Sequence, residues 1–145
     1  MTQVDDKPWL AEPNEKRWTH AGLECVIYRN EHVLTLCGYV VIPEEHPVYK
    51  LTEDKTEEIF SVHGGVTWFG HDPHDNTRPE KFLGFDCAHY RDLMPGIDRE
   101  SGYMKLAKLA GLIYRTMDWV TQETNRLAEQ VAAYGITKED EEEEA

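Results

Sequence analysis

The feature that most constrains the fold is a change of hydrophobic period after Gly102. Before it, apolar residues come in short β-branched and aromatic runs. After it, Leu106, Leu109, Ile113, Met117, Val120, Thr124, Leu127 and Val131 recur at steps of three and four. The first pattern is that of strands, and the second lays one stripe along a helix. Gly111 weakens the middle of the stripe, and Thr116 ahead of Met117-Asp118 can cap a new helix. The spacing therefore predicts two helices, 103–112 and 117–133, with Tyr114-Arg115 extended between them, or else one continuous helix. Tyr134-Gly135 suits the C-terminal end.

Upstream, Leu23 to Tyr28 and His32 to Ile42 read as a β-hairpin turning at Arg29-Asn30-Glu31. Tyr39-Val40-Val41-Ile42 is apolar on both faces, as in a covered central strand, and Pro43 stops it. Glu44 to Glu58 is polar and reads mostly as loop. Ile59 to Val62 and Val66 to Phe69 are strand-like pieces around His63-Gly64-Gly65, where the glycine pair predicts a tight turn with positive φ. Phe82 to Asp86 is a further strand. Strands followed by helices give an α+β fold: an antiparallel sheet of about five strands against one or two C-terminal helices.

The 145 residues fit a single domain over 1–136, with an irregular arm over 1–20 that docks through Trp9 or Trp18, and an acidic disordered tail over 137–145. A net charge of −13 speaks against binding nucleic acid through broad electrostatics. No apolar run reaches the roughly 20 residues that a membrane span needs. The N-terminus lacks the basic-then-apolar order of a signal peptide, and three cysteines without a C-x-x-C pair suit a reducing compartment, so a cytoplasmic location is expected.

Chemistry-bearing residues gather between His63 and Arg91. His63, Asp86 and His89 could form a metal-dependent hydrolase site, although the loop His71-Asp72-Pro73-His74 lacks the helical spacing that puts two imidazoles on one ion. Cys87 has His89 two residues on, but no nucleophile signature, Walker loop or dinucleotide motif is present. No residue pattern asks for a cofactor. Binding without chemistry accounts for more of the segment. Trp68, Phe85 and Tyr90 offer stacking surfaces for a base, and Arg91, Arg99 and Arg115 offer cations for phosphate. Asp86, Asp92 and Asp98 offer acceptors for ribose hydroxyls. If Thr116 caps a helix, Arg115 lies beside free backbone N–H groups at its positive end, which suits an anion. The plainer reading makes Trp68 and Phe85 core residues and pairs the arginines with surface acids.

Four segments together resemble a known group. They are Cys37-Gly38-Tyr39-Val40 with Pro43 and His46-Pro47-Val48-Tyr49; Val62-His63-Gly64-Gly65-Val66-Thr67; Gly84-Phe85-Asp86-Cys87-Ala88-His89; and Tyr114-Arg115-Thr116 leading into Trp119-Val120, Glu123 and Leu127-Ala128. This ensemble, over residues 35 to 131, resembles a widespread group of small phage-encoded proteins. The order of elements is similar to that of phage anti-Thoeris sponges, which bind cyclic ADP-ribose-type signals without cleaving them. The resemblance implies a cytoplasmic protein of the host cell and a homo-oligomer with nucleotide pockets near subunit boundaries. Met104 to Leu112 departs from it as an added amphipathic stretch, a candidate oligomer contact.

The expected function is sequestration of a small nucleotide-like signal, with His63, Gly64, Gly65, Trp68, Phe85, Asp86, His89, Tyr90, Arg91 and Arg115 as binding residues. The alternatives are the hydrolase and an acidic inhibitor that docks on a host protein.

Overall fold

The computed structural model describes the backbone of residues 7–97 and 102–144, with side chains to Tyr134. Five strands form one sheet: β1 (Glu15–His20), β2 (Leu23–Arg29), β3 (Leu36–Ile42), β4 (Trp68–Gly70) and β5 (Lys81–Asp86). Their order is β1-β2-β3-β5-β4, and every neighbouring pair is antiparallel. Among the described residues there are three α-helices: α1 (Glu53–Ile59), α2 (Tyr103–Leu109) and α3 (Met117–Glu144). The α+β architecture expected from the change of period is the one observed.

The period-2 pattern explains why the inner strands are apolar throughout. Cys25, Ile27, Leu36, Val40, Ile42, Leu83 and Phe85 face α3, where Val120, Leu127, Ala128 and Val131 meet them at 0% exposure. Val26, Tyr28, Tyr39, Val41 and Phe82 form a second cluster on the other side of the sheet. The loop after β4 caps that cluster, with His74 stacked on Tyr28 at 3.8 Å and Arg78 over Phe82. Gly38 lets α3 approach β3: a Cβ there would collide with Thr124 Oγ1 and the Phe85 ring.

Several local expectations change. The arm is irregular only in part. After the 3-10 turn Pro8–Leu10, residues Glu15–His20 pair along β2 as an edge strand, although their side chains alternate only between exposed and half-buried. Both tryptophans dock: Trp9 packs with Leu93 and Ala107, and Trp18 donates from Nε1 to Asn125 Oδ1. The β2–β3 turn spans residues 30–35, with Leu34 at φ 66°. The polar segment after Pro43 holds the 3-10 turn Pro47–Lys50 and α1, whose cap is Thr52 Oγ1 accepting from Lys55 N–H. Residues 60–62 join no strand, and β4 pairs with β5 instead.

The helical stripe divides at Gly111, which has φ 78°. Thr116 Oγ1 then caps α3 through Trp119 N–H. The stripe residues on α3 are core, as amphipathic spacing implies. Those before it are not: Leu106, Leu109 and Ile113 are 64%, 77% and 49% exposed. Only Ala107 of α2 is buried, against Trp9 and Leu93. The expected tail over 137–145 falls on residues whose side chains lie outside the described set. Among the described residues, no helix is long and apolar enough to cross a membrane.

Candidate functional site

Three stretches converge on one carboxylate, Asp92. The first is the turn at residues 62–65, closed by Gly65 N–H donating to Val62 O. Gly64 and Gly65 have φ 70° and 87°, the positive values that the glycine pair predicted. A side chain at Gly64 would also strike the His89 ring, so the turn needs glycine there for space as well. The second is the turn at 89–92, where Asp92 N–H donates to His89 O and His89 N–H donates to Asp92 Oδ2. The third is the link between α2 and α3. Ile113 N–H donates to Arg91 O and Leu93 N–H to Ile113 O, which sets residue 115 beside residue 92.

Asp92 is 1% exposed and accepts from three directions. His63 Nε2 lies 2.8 Å from Oδ2, Arg115 Nε donates to Oδ1 at 2.9 Å, and the His89 N–H bond lies at 3.0 Å. Burial pushes the Asp92 carboxyl up. The bonds from His63, Arg115 and the His89 N–H outweigh it, so the group titrates below its ordinary value. Glu123 of α3 secures the other side of the turn, accepting from His63 N–H at 2.7 Å and from Arg126. Its carboxyl is also lowered, with burial opposing and Arg126 prevailing.

Trp119 provides the wall. The Arg115 guanidinium lies 4.7 Å over its ring, and His63 meets it edge-on at 5.0 Å. His63 and His89 contact each other edge to face at 5.5 Å. The buried His89 Nε2 is 2.9 Å from Asp86 Oδ1 yet makes no hydrogen bond among the described residues, so the two meet out of line. Asp86 also accepts from Ala88 N–H.

Of the ten expected binding residues, the structure brings His63, Gly64, Gly65, Asp86, His89 and Arg115 to this corner. Tyr90 is 88% exposed and Arg91 is exposed on the same turn. Two expectations are corrected. Phe85 is 1% exposed in the core under α3, so it has no face to offer a ligand. Trp68 lies with the cluster on the opposite side of the sheet and donates from Nε1 to His71 O. The aromatic ring at this corner is instead that of Trp119. Asp98 and Arg99 lie outside the described residues.

The residues of the hydrolase alternative meet at this corner but not as one ligand set. Among the described residues, no group of three or more His, Cys, Asp or Glu side chains could hold a metal ion, so His63, Asp86 and His89 do not make a three-ligand set. Their ring nitrogens face different carboxylates. Cys87 is buried, and burial together with the Asp92 charge pushes its thiol far up, away from nucleophilic use. Asp92 was expected only as one of three acids that could accept from ribose hydroxyls, and Glu123 and Trp119 were not among the expected binding residues. Only the approach of 91–93 to residue 113, a tertiary contact, reveals Asp92 as the hub.

Comparison with family models, with curated proteins and with solved structures found no match for this chain.

Proposed function

We propose that the protein binds a compact, anionic, nucleotide-like small molecule at the His63–Asp92–Arg115–Trp119 corner and sequesters it without cleavage. The observation that carries this reading is the state of Arg115. Its Nε is fixed by a buried carboxylate and its plane rests on an indole, while Nη1 and Nη2 have no hydrogen-bond partner among the described residues. A guanidinium held this way presents a preorganised fork for phosphate. Arg91, exposed on the adjacent turn, adds a second cation, and Tyr90 beside it an aromatic ring for a base. The protonated, buried Cys87 thiol leaves the corner short of a nucleophile, which favours holding over cleaving.

The resemblance to phage sponges points to a cyclic ADP-ribose-type signal as the cargo, in the host cytoplasm, with the exposed Leu106 and Leu109 of α2 as a contact between copies. Native mass spectrometry of the protein with cyclic ADP-ribose, followed by denaturation and recovery of the ligand, tests the reading. Arg115→Lys is the variant of choice, because lysine can still pair with Asp92 while losing the fork. Intact ligand on the parent and at least tenfold weaker binding by Arg115→Lys are expected. Equal binding by the two, or recovery of a cleaved product, would overturn the proposal.

A further inference from the structure

A concavity of about 360 Å³ opens at the far side of the sheet between the start of β1 and the turn after β2. The size is within the range of small-molecule sites. Asn14, Glu15, Tyr28, Asn30, Glu31 and His74 supply its chemistry. His74 lies flat on Tyr28, the rings 3.8 Å apart and 14° from parallel. Tyr28 is fixed from below, because its hydroxyl donates to the buried Asp72, whose Oδ1 also accepts His74 N–H. The exposed His74 ring is therefore a platform held by the fold, on which another flat ring can stack.

The polar rim has a defined sense. Asn14 Oδ1 accepts from Arg29 Nε, and Asn30 Oδ1 accepts from His32 and Val33 N–H. Those donors fix which end of each amide is oxygen, so both NH2 ends are the ones without partners among the described residues. Glu31 likewise makes no hydrogen bond or ion pair among them. The rim thus offers amide donors next to a carboxylate acceptor. Among the described residues it offers no free cation. Arg29 spends Nε, Nη1 and Nη2 on Asn14, Leu34, Tyr114, Glu12 and Pro13, and Glu15 holds Arg17.

We infer that this cleft binds an uncharged planar heterocycle whose edge carries N–H donors beside a carbonyl oxygen, as the guanine edge does. The carboxylate of Glu31 takes the ring N–H and the exocyclic amine, an asparagine NH2 meets the carbonyl, and His74 stacks on the ring. A phosphate is unwelcome here, since Glu15 and Glu31 face it with no free arginine, and this separates the cleft from the Arg115 corner.

Calorimetric titration of the full chain with guanosine tests the assignment, with guanosine monophosphate, inosine and the variants Glu31→Gln and His74→Ala alongside. Both substituted residues are exposed, and unchanged thermal transitions verify that the variants fold. Guanosine is expected to bind. Inosine, which lacks the exocyclic amine, and each variant are expected to bind at least tenfold more weakly, and the monophosphate more weakly than the nucleoside. No binding of guanosine up to about 1 mM, tighter binding of the monophosphate, or variants that match the parent would overturn it.

Discussion

Replacing Asp92 with asparagine removes a negative charge from the best-buried point of the corner while preserving its shape. The carboxylate is 1% exposed and serves His63, Arg115 and the His89 N–H at 2.8–3.0 Å. Asparagine keeps one acceptor oxygen but turns an NH2 toward groups that are themselves donors. Breaking a buried ion pair by removing one partner costs about 3–5 kcal/mol. The Arg115 and His63 side chains remain 17% and 19% exposed, so water relieves part of the loss. The lower end, about 3 kcal/mol, is therefore expected. That is a large share of the 5–15 kcal/mol of roughly typical domain stability. Urea unfolding measures it as a lower midpoint at an unchanged slope. Lys55→Ala is the control, because the Lys55–Glu58 pair lies 3.7 Å apart at the surface and is worth less than about 1 kcal/mol. An Asp92→Asn variant within about 1 kcal/mol of the parent would refute the claim that Asp92 organises the three stretches.

Asp92 and Glu123 both titrate below their ordinary values of 3.8 and 4.5. The unfolded chain therefore takes up protons first as pH falls, and stability present above pH 4.5 is lost below it. Urea midpoints should decline across that range, and Glu123→Gln should flatten the decline. Gly38→Ala forces a methyl into Thr124 and Phe85, and overpacking of this kind should cost about 1–3 kcal/mol in the same assay; a neutral substitution would show that α3 can lift without penalty. Burial raises the thiol of Cys25 to about 11 and that of Cys87 further, so a thiol reagent at pH 8 should label both only after denaturation. Rapid labelling of either in the native protein would contradict its placement in the core.

The inner strands were legible because burial on both faces forces apolar residues at successive positions, as in Tyr39-Val40-Val41-Ile42. The Gly64-Gly65 turn was legible because few residues tolerate positive φ. Strand β1 was not, since Glu-Lys-Arg-Trp-Thr-His carries no apolar face and becomes a strand only by pairing with β2. Periodicity placed Leu106 and Leu109 on a helix but could not say what covers that side, and the structure leaves them exposed. The candidate site divides in the same way. His63, His89 and Arg115 stood out by type and local motif. Asp92 looked like one acid among many, because its role comes from a backbone pairing of residues 91–93 with Ile113, set by tertiary packing.

Ligand is proposed to enter the corner where Arg115 lies on Trp119. Amide and side-chain NMR spectra of the full chain, recorded during titration with cyclic ADP-ribose, test it most directly. Saturable shifts are expected in the Arg115 guanidinium, the Trp119 indole and the His63 ring, with α1 undisturbed. Shifts confined to the Tyr28–His74 cleft, or none at saturating ligand, would contradict it.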